Sequence, residues 1–137
     1  MGKVKRISIT LPEEILKDLD RVMEKMSARN RSKVISNAIV SYISATQWML
    51  GEGLVSGSIT LIYDHERGEA VKKIIHIQHD FSDIIKATIH VHLSKKLCLE
   101  IISIVGSVER LKKLLTELRE VKAVLGISFS LFPVTRG

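Results

Sequence analysis

From Lys5 to Leu11 apolar and polar side chains alternate strictly, with Ile7, Ile9 and Leu11 on one side and Arg6, Ser8 and Thr10 on the other. A period of two predicts a short strand. Thr10, Pro12 and Glu13 then supply a capping-box pattern with a proline in the first turn. Ile15, Leu16, Leu19, Val22, Met23 and Met26 follow at helical spacing. Asn30 and Arg31 interrupt the pattern, Ser32 is placed to cap a second helix, and Val34, Ile35, Ala38, Ile39, Tyr42 and Ile43 form its apolar stripe. Small residues gather at Gly51 and Gly53 and again at Ser56, Gly57 and Ser58, which predicts a linker. Beyond it the periods change in turn. A strand is expected over 55–63, a helix over 67–78, strands over 84–93 and 98–105, a helix capped by Ser107 and running to Val121, and a last strand over 126–132. The fold class is therefore α+β: a strand-helix-helix unit (residues 1–50) followed by a βαββαβ unit of ferredoxin-like or ACT-like type (residues 51–137).

The first unit cannot stand alone. A lone strand leaves both edges unpaired, and about 50 residues bury too little surface for stability. Two copies solve both problems: their strands pair antiparallel and four helices close over the apolar face. Arg6, Ser8 and Thr10 then appear twice on the opposite face, related by a two-fold axis. A two-stranded ribbon fits the major groove of DNA, where arginine can donate two bonds to guanine and hydroxyls can meet several bases. The start of the second helix, with Arg31 and Ser32, suits a phosphate.

Charge agrees with this reading. Residues 1–50 hold nine basic and five acidic side chains, and the remainder 12 and 10, so most of the net charge of +6 lies in the smaller unit. Hydrophobic residues make up 45% of the 137, which excludes wholesale disorder, and the scarcity of aromatics (4%) demands an aliphatic core. The single cysteine excludes an intrachain disulfide. No apolar run approaches the ~18–20 residues of a membrane span, and no long apolar stretch follows the basic N-terminus, so a cytoplasmic protein is expected.

The central hairpin carries the candidate chemistry. Strict alternation places Ile85, Ala87, Ile89, Val91 and Leu93 toward the core, and Lys86, Thr88, His90 and His92 on the other face. His90 and His92 then lie about 7 Å apart along one face, and a tight turn at Ser94 to Lys96 returns Cys98 close to His92. Glu100 continues on the face of Cys98. Two imidazoles and a thiolate suit a borderline or soft divalent ion and leave a position open. His79, at the end of the preceding helix, can be lent by a second subunit. His65 and His76 read more simply as surface histidines.

A strand-helix-helix unit followed by βαββαβ, with Gln78 and His79, then His90 and His92, then Cys98 and Glu100, resembles the nickel-responsive transcriptional regulators (NikR). The first unit on its own resembles the ribbon-helix-helix repressors over residues 3–45. The nickel-regulator resemblance covers nearly the whole chain. It implies one Ni(II) per subunit, held in a square plane by His90, His92 and Cys98 with His79 from a neighbour. It makes Glu100 a carboxylate bracing the site, and Tyr63 and His65 an auxiliary segment. It further implies base contacts by Arg6, Ser8 and Thr10, phosphate contacts by Arg31 and Ser32, a palindromic operator in double-stranded DNA, and a homotetramer built as a dimer of dimers. The function implied is repression of nickel uptake genes when nickel is plentiful, and no catalysis. Ser8 replaces the family's more usual threonine, and Lys33 and Asn37 stand where carboxylates often hold a second cation, so that site is not expected here. The resemblance assigns no role to His76.

Metal binding requires neutral histidines and a thiolate, so affinity should fall below about pH 6.5. Cu(II) should bind at least as tightly as Ni(II). Three other readings make different demands. A small-effector sensor of the same architecture would keep its response without His90 and Cys98. A metalloenzyme lacks an obvious general base beyond Glu100 and a glycine loop for substrate. A nickel store or chaperone would not need Arg6, Ser8 and Thr10 facing outward.

Overall fold

The structure is a computed structural model that describes residues 2–134. The chain divides into two compact units, Met1–Ser41 and Tyr42–Gly137.

In the first unit residues 2–12 form no regular element, and all are exposed. The expected strand over residues 5–11 does not form: none of the four strands of the sheet pairs with it, and backbone without a ladder is not a strand. Helix α1 spans Glu13–Lys25 and opens on Pro12, whose carbonyl accepts from Leu16 N at 3.2 Å. The expected capping box does not form, since no side chain caps α1. At its C-terminus Ser27 adopts φ 53°, and Ala28 N returns to Met23 O at 2.8 Å, the wrap by which a left-handed residue closes a helix. Helix α2 spans Arg31–Thr46. Its cap is Asn30 rather than Ser32: Asn30 Oδ1 accepts from Lys33 N at 3.0 Å. Of the apolar residues on α1 only Met23 is buried, and the stripe of α2 stays at the surface, with Ile39, Tyr42 and Ile43 all exposed.

The second unit is built on four antiparallel strands: β1 (Leu54–Asp64), β2 (Ile85–His92), β3 (Leu97–Ser107) and β4 (Val124–Val134), in the order β2-β3-β1-β4. Helices α3 (Ala70–Asp80) and α4 (Val108–Glu120) complete the βαββαβ order. The fold is α+β, with the ferredoxin-like arrangement in which the two inner strands are the first and third. Val55, Ile59, Leu61 and Tyr63 of β1 and Ile102 and Ile104 of β3 join Ile74, Leu111, Leu114, Leu115 and Leu118 of the helices in one core. Ser107 caps α4 as expected, its Oγ accepting from Arg110 N at 3.3 Å. Trp48, in a short 3-10 turn (Gln47–Leu50), is fully buried in the same core and packs edge-on against Phe129, with ring centroids 6.1 Å apart.

Two expectations fail here for identifiable reasons. Ser56, Gly57 and Ser58 belong to β1 rather than to a linker. Gly57 serves close approach: a Cβ there would collide with the Ser130 carbonyl of β4, so glycine lets the two backbones meet. Strict alternation also fails in β2. The register shifts between Ile85 and Ala87, so Ile85 pairs with Ile104 and packs on the core, while His90 pairs with Glu100 and His92 with Cys98. One irregular step reverses the face of every later side chain. His90 and His92 thus lie on the helix side of the sheet, and Ile89, Val91 and Leu93 point to the open side, where they are exposed.

Candidate metal centre

The site sits at one corner of the sheet, where β2, β3 and β1 run side by side. Cys98 is paired with His92 across one ladder and with Tyr63 across the other, and Glu100 with His90 and with Leu61. Ser94 sets this register. Its Oγ accepts from Lys96 N at 3.2 Å and Leu97 N at 3.1 Å, closing the hairpin so that the sixth residue after His92 lands opposite it.

One donor atom each from His90, His92 and Cys98 all lie within 4.8 Å of one another. Donors opposite each other on a transition-metal ion are about 4 Å apart, given metal–donor bonds near 2 Å, so small side-chain rotations suffice to bring the three onto one ion. Among the described residues this is the one group of three or more metal-donor side chains that converges in this way. Cys98 Sγ lies 3.5 Å from His92 Nδ1, and the rings of His90 and His92 are 4.9 Å apart. Cys98 is buried whereas both histidines are exposed, so the thiol forms the floor of the site and the imidazoles its rim. Two nitrogens and one sulfur form a donor set that imidazole- and thiolate-preferring ions accept, nickel, copper and zinc among them.

A polar chain supports the donors. Glu100 is the only buried charged side chain among the described residues, with 5% of its surface exposed. Its Oε1 accepts from Gln78 Nε2 on the last turn of α3, and its Oε2 accepts from Tyr63 OH at 3.3 Å. Tyr63 OH also lies 3.3 Å from His90 Nδ1. Burial, then the charges of Glu100 and Cys98, push the Tyr63 phenol well above its usual range, so it keeps its proton. A phenol that donates to Glu100 can accept from His90 Nδ1–H. That choice leaves the lone pair of His90 on Nε2 for a metal.

The structure brings together part of the sequence-derived set. His90, His92 and Cys98 converge, with Glu100 and Tyr63 behind them. His65 also joins: it is half-buried, and its Nδ1 is 3.4 Å from Cys98 Sγ. His79 is exposed on α3 and stands outside the cluster of its own chain. His76 pairs instead with Asp80, Nε2 to Oδ2 at 3.3 Å. In the first unit Arg31 is held by Asp20 through two bonds, Nε–Oδ1 at 2.8 Å and Nη2–Oδ2 at 2.6 Å, while Arg6, Ser8, Thr10 and Ser32 are exposed. Sequence reasoning overlooked Gln78 as a partner of Glu100. Its signal was a buried carboxylate that needs a donor from the neighbouring helix.

A ferredoxin-like sandwich with two imidazoles and a thiol at its edge defines a class: an α+β domain equipped to bind a transition-metal ion. The family model for the NikR C-terminal nickel-binding domain matches residues 56–132. A protein of Pyrococcus abyssi (strain GE5 / Orsay) is 37% identical over 119 residues, 87% of this chain and 86% of its own. One of Dictyoglomus turgidum is 38% identical over 124 residues, 90% of this chain and 92% of its own. One of Methanocaldococcus jannaschii is 37% identical over 131 residues, 95% and 93%. Each is provisionally named a nickel-responsive regulator. Among solved structures, the ACT domain of the GTP pyrophosphokinase of Chlorobium tepidum superposes with a TM-score of 0.46 at 15% identity, over 58% of this chain and all of that one. The chain belongs to the nickel-responsive regulator family. No helix among the described residues is long and apolar enough to cross a membrane.

Proposed function

We propose that this protein is a cytoplasmic, nickel-responsive repressor that binds a palindromic DNA operator and lowers expression of nickel uptake genes when nickel is abundant. It acts as a regulator and not as an enzyme. The observation that carries the reading is the convergence of His90, His92 and Cys98 in a chain of this family. Each subunit takes one Ni(II) on these three residues, with His79 of a neighbouring subunit as the fourth donor. The exposure of His79 on α3 agrees with that role. Tyr63 and Glu100 hold His90 in the ligating tautomer, and His65 beside Cys98 offers an auxiliary metal position.

The first unit serves DNA binding, and the second serves metal binding and tetramerisation. The apolar side chains left uncovered on α1 and α2 support a dimer in which residues 5–11 of two chains pair as a ribbon. Arg6, Ser8 and Thr10 then read bases, while Ser32 at the start of α2 meets phosphate. Arg31 shares its charge with Asp20, so its phosphate contact is the weaker of the two. Metal shifts the equilibrium toward the DNA-competent arrangement by the free energy with which it prefers that arrangement.

The test combines spectroscopic nickel titration with gel shifts on palindromic DNA, for the wild-type chain and for Cys98→Ala. Nickel should bind wild type with a thiolate charge-transfer band and strengthen DNA binding. Cys98→Ala should lose the band and the nickel response while retaining metal-independent DNA affinity. Unchanged nickel affinity in Cys98→Ala overturns the site, and a wild-type protein indifferent to DNA at low salt overturns the regulator.

A further inference from the structure

The turn joining α3 to β2 is fastened to α4 by one side chain. Arg110, on the first turn of α4, donates from Nη2 to Asp83 Oδ1 at 2.6 Å and to the Asp80 carbonyl at 3.0 Å, and from Nε to Asp83 Oδ2 at 3.2 Å. Its guanidinium carbon also stands 4.2 Å from the centroid of the Phe81 ring. One planar group therefore grips a carboxylate, a carbonyl and an aromatic face within a single turn. Lysine offers a point charge and no fork, so it could replace only part of this.

The turn does not need Arg110 in order to reverse the chain. Ser82 N bonds to His79 O at 3.2 Å, and Ile84 N and Ile85 N both bond to Phe81 O at 3.0 Å. From inside, Phe81 and Ile84 are buried, and Ile84 crowds Gly106 so closely that a Cβ there would meet Ile84 Cγ2 at 2.5 Å. What the clamp adds is a fixed relation between the two elements that the turn joins. Upstream is the last turn of α3, with Gln78 bonded to Glu100 and with His79. Downstream is β2, with His90 and His92.

We propose that Arg110 is a positioning residue for the metal centre. Its clamp on Asp80, Phe81 and Asp83 holds the end of α3 in place, so that Gln78 supports Glu100 and His79 is presented to a neighbouring subunit. The inference rests on the nickel-site reading above and assigns it a residue outside the ligand set.

The test uses the full-length protein. Nickel affinity is measured by competition with a chelator, and amide hydrogen exchange of residues 81–85 is followed without metal, for Arg110→Gln, Asp83→Asn and Arg110→Lys. The first two should lose about tenfold in nickel affinity, the low end of the range for removing a contact that orients metal ligands. Exchange at 81–85 should quicken, and the thiolate-to-nickel band should stay at its wild-type position because the donors are unchanged. Arg110→Lys should fall between. Nickel affinity within about twofold of wild type in the variants overturns the proposal, as does lost affinity with unchanged exchange. If Arg110→Gln fails to fold, Arg110→Lys decides, and wild-type affinity there overturns the clamp. Failure of the underlying reading looks different: wild type takes up no nickel, or Cys98→Ala binds as well as wild type, and the proposal falls with it.

Discussion

Tyr63 shows how one hydroxyl can decide the chemistry of a ring. It is buried, it keeps its proton, and it stands 3.3 Å from both Glu100 Oε2 and His90 Nδ1. The direction of its single O–H bond therefore sets which nitrogen of His90 is free. Tyr63→Phe removes that control while leaving the ring in the core. The expected outcome is a nickel affinity lower by about tenfold with the fold intact, read by chelator competition and circular dichroism. A wild-type affinity would mean that His90 finds its tautomer unaided. At this scale much of the site was legible from sequence. His90, His92 and Cys98 declare themselves by donor type and spacing, and Glu100 by sharing the alternation of Cys98. Gln78 did not, because its partner lies 22 residues away on another element.

Among the elements, the segment between α3 and β2 carries a charge that can be followed by pH. Arg110 holds the Asp83 carboxyl below the usual aspartate range, chiefly through their hydrogen bonds. A carboxyl lowered in the folded state contributes stability above its unfolded pKa and loses it as pH falls through the folded value. The stability difference between wild type and Asp83→Asn should therefore be full at neutral pH and close in acid below the ordinary aspartate range. It should also shrink with added salt, because the pair is exposed. Thermal unfolding across pH checks both; a difference that persists in strong acid would point to packing instead. Strand β2 hides its geometry from the sequence. Its residues alternate without fault in the sequence, yet the shift after Ile85 turns the histidines toward the helix side and Ile89 outward. A bulge costs nothing in composition, so a periodic pattern cannot announce it.

For the whole molecule, the telling feature is apolar surface that one chain leaves uncovered. The open side of the sheet presents Ile89, Val91 and Phe132, all exposed. In the first unit Ile7, Ile9 and Ile39 are likewise exposed. Apolar exposure on this scale marks interaction surfaces, and the tetramer proposed above would cover them with other copies of the chain. If the sheet face builds the proposed tetramer, Ile89→Lys should shift the assembly toward dimers in sedimentation experiments while His90, His92 and Cys98 remain in place. An unchanged tetramer would move the interface elsewhere.

Sequence alone determined the order of the elements and the α+β class of the second unit, and it singled out His90, His92 and Cys98, which converge there. Those follow from local periodicity, from turn and cap residues, and from side-chain chemistry, which neighbours along the chain suffice to express. Packing in three dimensions set which face of β2 carries the histidines, brought Gln78 to Glu100 and His65 to Cys98, and let Arg110 tie α3 to α4. Each of these depends on strand register or on contact between residues far apart in sequence. Such relations are fixed by packing the whole core at once, and no local stretch encodes them.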